Sequence, residues 1–130
     1  MNETMRTMAA AASGMRAQAA RLRLSSENIA NVDTPGFHRK TVSFEETFDS
    51  ANDTRAVATG PLQLSKAELH RVYDPSHPMA GPDGYYDSSN VDLVVEIADA
   101  REASRSYDAN LRMFDQARQM AASLLELLRR

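Results

Sequence analysis

The chain has no cysteine and no tryptophan, and aromatic residues fill only 6% of its 130 positions. Without cysteine there is no disulfide framework and no thiolate metal centre. A net charge of -3 leaves no electrostatic footprint for nucleic acid or anionic lipid. No apolar run approaches the roughly 20 residues that span a bilayer, so direct membrane insertion is not expected. The N-terminus also lacks the pattern of a cleavable secretory signal. It opens Asn2-Glu3, and the apolar run Met8 to Ala12 is broken by Ser13, Gly14 and Arg16. On composition alone such a chain is expected in the cytoplasm. Proline and glycine are scarce at both ends: all five Pro and four of the five Gly fall between Pro35 and Gly84. Long helices are therefore confined to the two terminal segments.

The C-terminal segment carries the strongest pattern. From Leu93 a three-four spacing runs through Ile97, Ala100, Ser104, Tyr107, Leu111, Phe114, Arg118, Ala121, Leu125 and Leu128, a heptad register with two polar breaks. Ser89-x-x-Asp92 reads as a capping box, which predicts a helix beginning near Ser89 or Asn90. Glu102 with Arg105, Asp108 with Arg112 and Asp115 with Arg118 stand at helical pair spacing. A helix of some forty residues at about 1.5 Å each is a rod of roughly 60 Å. A compact globule of this length is only about 35 Å across. The helix must therefore be covered by a helix of its own chain or by other subunits.

Residues Glu3 to Ala30 predict a second long helix, with Met5, Met8, Ala12, Met15, Ala19, Leu22, Ser26 and Ile29 on one stripe. Six of the seven methionines lie in these two terminal segments, and flexible thioethers suit adaptable packing surfaces. The N-terminal stripe is rich in small residues and buries little area, so this helix is expected to fray unless a neighbour docks. Gly14 is its weak point, costing about 1 kcal/mol relative to Ala.

Between the helices the pattern predicts a small, loop-rich β insertion. Phe37 to Phe44, Ala56 to Leu64 split at Gly60-Pro61, and Leu69 to Tyr73 read as short strands; Glu45 to Thr54 reads as a polar loop, and Asp74 to Gly84 as irregular. The acidic excess sits here, with nine acidic against five basic residues over positions 33 to 89. Thr34-Pro35-Gly36-Phe37 predicts a type II turn that ends the first helix. The fold class is mainly α with a small β insertion: two long terminal helices form a coiled-coil hairpin around a loop-rich β region. Residues 1-32, 33-88 and 89-130 make up one structural unit.

Catalytic and metal-binding patterns are missing. His38, His70 and His77 have no ligand spacing and read as solvated loop residues. Asp83, Asp87, Asn90 and Asp92 miss the calcium-loop spacing. There is no phosphate-cradling glycine loop and no nucleophile elbow. The chain is read as a non-enzyme with no cofactor. Glu45-Glu46 is a solvated pair rather than an acid-base couple.

Asn28-Ile29-Ala30-Asn31-Val32-Asp33-Thr34-Pro35-Gly36-Phe37 with Arg39-Lys40 resembles the N-terminal signature of the bacterial flagellar rod and hook family. Arg71-Val72-Tyr73-Asp74-Pro75-Ser76-His77-Pro78, Gly84-Tyr85, Asn90-Val91-Asp92 and Ala103-Ser104-Arg105-Ser106-Tyr107-Asp108-Ala109-Asn110 extend the resemblance over most of the chain. Ser89 stands where the family more often has Pro, Tyr86 where Val is usual, and residues 45 to 68 carry no family pattern. The resemblance implies a structural subunit of the proximal rod of the flagellar basal body, part of the drive shaft that carries torque from motor to hook. It implies export through the flagellar type III apparatus without a cleavable signal peptide, and assembly in the periplasm, which replaces the cytoplasmic expectation. Implied partners are copies of the chain, other rod proteins, the rod-to-export-gate adaptor and the export apparatus. Another rod protein of the same family, or a cytoplasmic helical-hairpin oligomerisation adaptor, is the alternative reading, and an enzyme built on the insertion is a weaker third.

The expected assembly interface joins both kinds of reading. The helix stripes contribute Met8, Ala12, Met15, Ala19, Leu22, Ile29, Leu93, Ile97, Tyr107, Leu111, Phe114, Ala121, Leu125 and Leu128. The resemblance adds Asn31, Pro35, Gly36, Tyr73, Pro75, His77, Pro78, Asn90 and Asn110.

Overall fold

The computed structural model describes residues 3-129. Two helices, α1 (Glu3–Ala30) and α2 (Leu93–Leu128), enclose in sequence six short strands. These are β1 (Lys40–Thr41), β2 (Phe44–Asp49), β3 (Thr54–Thr59), β4 (Gln63–Leu64), β5 (Arg71–Tyr73) and β6 (Tyr85–Asp87). They pair antiparallel in three separate two-stranded ladders, β1 with β4, β2 with β3 and β5 with β6. At 28 and 36 residues the helices are about 42 and 54 Å long. They pack antiparallel along most of α1, which supplies the covering helix that the length argument required.

The start of α2 differs from expectation. The N-cap is Asp92, in extended conformation, and its carboxylate accepts from the amides of Val94 at 3.1 Å and Val95 at 3.5 Å. Ser89 is not a cap. It is buried, and its hydroxyl donates to the carbonyl of Val32, tying the entry of α2 to the exit of α1. The serine at the head of the capping-box pattern finds a tertiary acceptor, so the carboxylate three residues on takes the cap. Of the expected surface pairs, Asp115 lies 3.6 Å from Arg118, whereas Glu102 reaches across to Arg21 of α1 at 3.5 Å.

The turn after α1 forms as the sequence predicts. The amide of Phe37 donates to the carbonyl of Thr34 at 3.2 Å, and Gly36 holds φ at +74°. Glu45 to Thr54, expected as loop, is mostly ladder: β2 pairs with β3 from Phe44 opposite Thr59 to Asp49 opposite Thr54. β2 itself is exposed on both faces as far as Phe48, and a strand so placed needs no apolar alternation, so Phe44-Glu45-Glu46-Thr47-Phe48-Asp49 carries no strand signal. The Asp49 carboxylate closes the turn by accepting from the amides of Ala51 and Asn52, at 3.1 and 3.3 Å, and from the Asn52 side chain at 2.6 Å. That side-chain bond above all holds the Asp49 pKa below its ordinary value. β6 was also unforeseen; it exists because Tyr73 and Tyr85 pair across the ladder and meet edge to face at 5.1 Å.

The core is unusually poor. Its buried apolar residues are Ala11, Ala17, Leu24, Val91, Ala103 and Ala117, so among the described residues only Leu24 and Val91 are larger than alanine. Large apolar side chains are instead exposed along α2, from Leu93 to Leu128.

Candidate assembly surface

The helix pair meets along a seam of small and polar residues. On α2 Glu96, Ala103 and Ala117 are buried at heptad spacing, with half-buried Asn110 between them. Facing them on α1, Asn28 donates to Glu96 at 3.2 Å, and Gly14 lies directly under the Asn110 amide. Gly14 does more than weaken its helix: it makes room for the Asn110 side chain of α2, since a Cβ there would stand 2.8 Å from Asn110 Nδ2.

At the open end of the pair the signature residues hold three chain segments together. Asn28 donates to the Lys40 carbonyl and accepts from the Lys40 amide, each at 2.9 Å. Arg39 donates to Glu96 through Nε and to Asp99 through a terminal nitrogen at 2.6 Å, and Arg21 approaches Asp99 at 3.4 Å. Asn90 accepts from the Arg39 amide at 2.6 Å and donates to the carbonyls of Ser65 and Ala67 at 3.2 and 3.0 Å. Lys40 pairs with Glu27. Arg21, Arg39 and Lys40, the cations beside the cleft that Leu24, Val42, Phe44 and Asp99 also line, are thus each paired with a carboxylate. Glu96 is fully buried; Oε1 takes the bonds from Asn28 and Arg39, and Oε2 has no protein partner.

The expected interface residues divide into three groups. Asn90, Asn110 and Asn31 serve inside the chain: Asn90 is buried, Asn110 fills the seam, and Asn31 donates to the Glu27 carbonyl at 2.8 Å. Pro35 and Gly36 form the turn. The apolar stripes are the second group, and they are not the hairpin seam. Met8, Met15, Leu22 and Ile29 each follow a seam-line position of α1 by one residue, and Ile97, Ser104, Leu111 and Arg118 each follow a seam position of α2 by one. One residue is about 100° of helix rotation, and the antiparallel arrangement turns both displacements toward the same flank. Arg6 and Ser13 precede the seam line on α1 and bind the β2–β3 hairpin, Arg6 to Asp53 at 2.8 Å and Ser13 from the Val57 amide at 3.1 Å. The two stripes therefore share the flank opposite that hairpin.

On this flank Ile97 is 41%, Leu111 39% and Leu125 64% exposed. Leu93 and Leu128 are exposed as well. Ala19 is also exposed, while Met8, Ala12, Met15, Leu22, Ile29, Tyr107, Phe114 and Ala121 are half-buried along its edges. Periodicity found this stripe and missed the seam, because alanine and glycine carry little hydrophobic signal.

The third group is the loop between β5 and β6. Tyr73, Pro75 and Pro78 are exposed, and His77 is half-buried. His77 is not a free solvated residue: its ring stacks on Tyr86 at 3.9 Å and accepts from the Met79 amide at 3.1 Å. His38 likewise is 3.0 Å from the Ser65 carbonyl. Arg71 pairs with Asp83 at 2.7 Å and lies over the Tyr85 ring. These contacts tie the loop to itself within the chain.

Two helices whose exposed apolar flank outweighs their own core, joined by a turn and small ladders, define a structural, association-prone class of protein. The family described as flagella basal body rod protein matches residues 8–38, and the family described as flagellar basal body rod FlgEFG protein C-terminal matches residues 83–127. The chain is 41% identical over 126 residues to the flagellar basal-body rod protein FlgC of Agrobacterium fabrum, covering 92% of this chain and 91% of that one. It is 32% identical over 123 residues to FlgC of Salmonella typhimurium, covering 90% and 92%. With FlgC of Bacillus subtilis it shares 30% identity over 138 aligned residues, covering 89% and 92%. The chain belongs to the FlgC family of flagellar basal-body rod proteins. It is a structural subunit of the basal-body rod.

Proposed function

We propose that the chain polymerises through the shared apolar flank of α1 and α2, with copies of itself and with other rod proteins, in the proximal part of the rod that carries torque from motor to hook. The observation that carries this reading is the imbalance of apolar burial: among the described residues, two core side chains larger than alanine, against a row of exposed Leu, Ile, Val and Met on α2. A surface of that kind is an association surface. Its partners are helices of neighbouring subunits, with the rod-to-export-gate adaptor at the base. The β5–β6 loop docks against a neighbouring subunit, where a preset backbone lowers the ordering cost. Residence in the periplasm after export through the flagellar type III apparatus completes the reading. A core this small also suits a chain that travels unfolded, since order is gained on docking.

Leu111→Asp tests it, with Arg112→Asp as the neighbouring control. A buried, unpartnered carboxylate costs several kcal/mol even after relaxation, and a polymer repeats that cost in every copy. Cells carrying Leu111→Asp are expected to export the protein and to lack rods and motility, while Arg112→Asp cells swim. Normal swimming with Leu111→Asp, or greater damage from Arg112→Asp, would remove the apolar flank from the interface.

A further inference from the structure

We infer that the helix pair carries its own register mark, and that Glu96 and Asn110 set it: two polar side chains on an otherwise alanine seam, each facing an α1 residue that suits it alone. Ala103 and Ala117 are the other seam positions of α2, and a methyl group makes no directional contact that distinguishes one α1 neighbour from another one heptad away. They allow close approach and specify nothing about alignment. Glu96 meets the Asn28 amide at 3.2 Å and the Arg39 guanidinium. Asn110 occupies the space that any Cβ at position 14 would take. The two contacts are independent and agree, because Asn28 to Gly14 is fourteen residues back along α1 and Glu96 to Asn110 is fourteen forward along α2.

Sliding the helices by one heptad, about 10 Å, breaks both contacts at once. Asn110 would then meet Arg21 or Thr7 in place of Gly14, and Gly14 would face an alanine across a void. The Glu96 carboxylate, fully buried and with Oε2 already unpartnered, would lose Asn28 and Arg39. Single polar residues on helix seams fix register in this way, at some cost in stability. The alignment so chosen determines how far Leu124, Leu125, Leu127 and Leu128 project past the start of α1, and brings the two apolar stripes level. The mark acts within one chain, so it holds or fails independently of rod assembly.

The absence of native cysteine makes the test direct. Ala10 and Met113 line one cleft between the helices in the observed register. Full-length chains carrying Ala10→Cys with Met113→Cys, Ala10→Cys with Ser106→Cys, or Ala10→Cys with Met120→Cys are equilibrated with glutathione, and the effective concentration of each pair is read from the disulfide fraction. The first pair is expected to exceed the two heptad-shifted pairs by about tenfold or more. In a Glu96→Ala, Asn110→Ala background the three are expected to fall within about threefold of one another, with helix content by circular dichroism preserved because alanine is the best helix former. If that background loses helix, Asn110→Ala alone decides: a severalfold drop in preference supports the mark, and an unchanged preference overturns it. Equal effective concentrations in the native background, or a preference that survives both substitutions, overturn it as well.

Discussion

Asn28 and Lys40 exchange two hydrogen bonds of 2.9 Å, the asparagine amide taking the place of a paired strand residue for the backbone at the start of β1. The same Nδ2 also reaches Glu96, so one buried side chain ties the last turn of α1 to both the insertion and α2. Asn28→Ala is expected to leave a half-buried backbone donor and acceptor without their partner and to destabilise the fold by roughly 2–4 kcal/mol. Asn31→Ala, which gives up a part-buried bond to the Glu27 carbonyl and an exposed one from the Thr34 hydroxyl, is expected to cost less, about 1 kcal/mol. Urea unfolding of the two variants checks the order, and equal midpoints would contradict it.

Arg39 is the main counter-charge for Glu96. Arg39→Ala leaves a fully buried carboxylate with only the Asn28 amide, a change expected to cost about 3–5 kcal/mol. Removing the carboxylate as well, in Arg39→Ala with Glu96→Ala, is expected to restore part of that loss. Recovery in the double variant, measured as a double-mutant cycle in urea, distinguishes an unpaired charge from lost packing.

The purified monomer is expected to be only partly folded. Ordering α1 costs about 1 to 2 kcal/mol of backbone entropy per residue, and its buried side chains are Ala11, Ser13, Ala17, Leu24, Ser25 and Asn28. Little of that set is apolar area. Hydrogen exchange of a verified monomer is expected to show weak protection from Met5 to Ile29, and strong protection there would mean that α2 and β3 suffice to order it.

The β5–β6 loop is expected to hold its shape from neutral pH down to about 4 and to loosen below that. Asp74 has a lowered pKa chiefly through the Ser76 hydroxyl, and Asp83 chiefly through Arg71. A folded-state pKa below the unfolded value of 3.8 means that these bonds contribute fully above 3.8 and are lost as pH falls through the depressed value. Asp83 is exposed and Asp74 half-buried at the surface, so the effect is local. Proton NMR of the Tyr73 and Tyr85 rings follows it, and Asp83→Asn is expected to loosen the Arg71 end at every pH.

Much of this was legible in the residues. The confinement of Pro and Gly to positions 35–84, with the one exception of Gly14, places both helices, because those residues act locally on the backbone wherever they stand. Thr34-Pro35-Gly36-Phe37 specifies its turn for the same reason. The strand Phe44–Asp49 was not legible, since it is exposed on both faces as far as Phe48 and so carries no apolar alternation.

Which helix face pairs inside the chain was decided by tertiary structure alone. The three-four apolar spacing states that Leu93, Ile97 and Leu111 lie on one stripe, but a period carries no information about whether the covering helix belongs to the same molecule. The inner seam instead uses residues that show no hydrophobic period, Gly14, Asn28, Glu96 and Ala103. Close approach depends on what is missing from one side chain opposite another, and Glu96 meets Arg39 from 57 positions away, a partnership that exists only once the chain has folded back on itself.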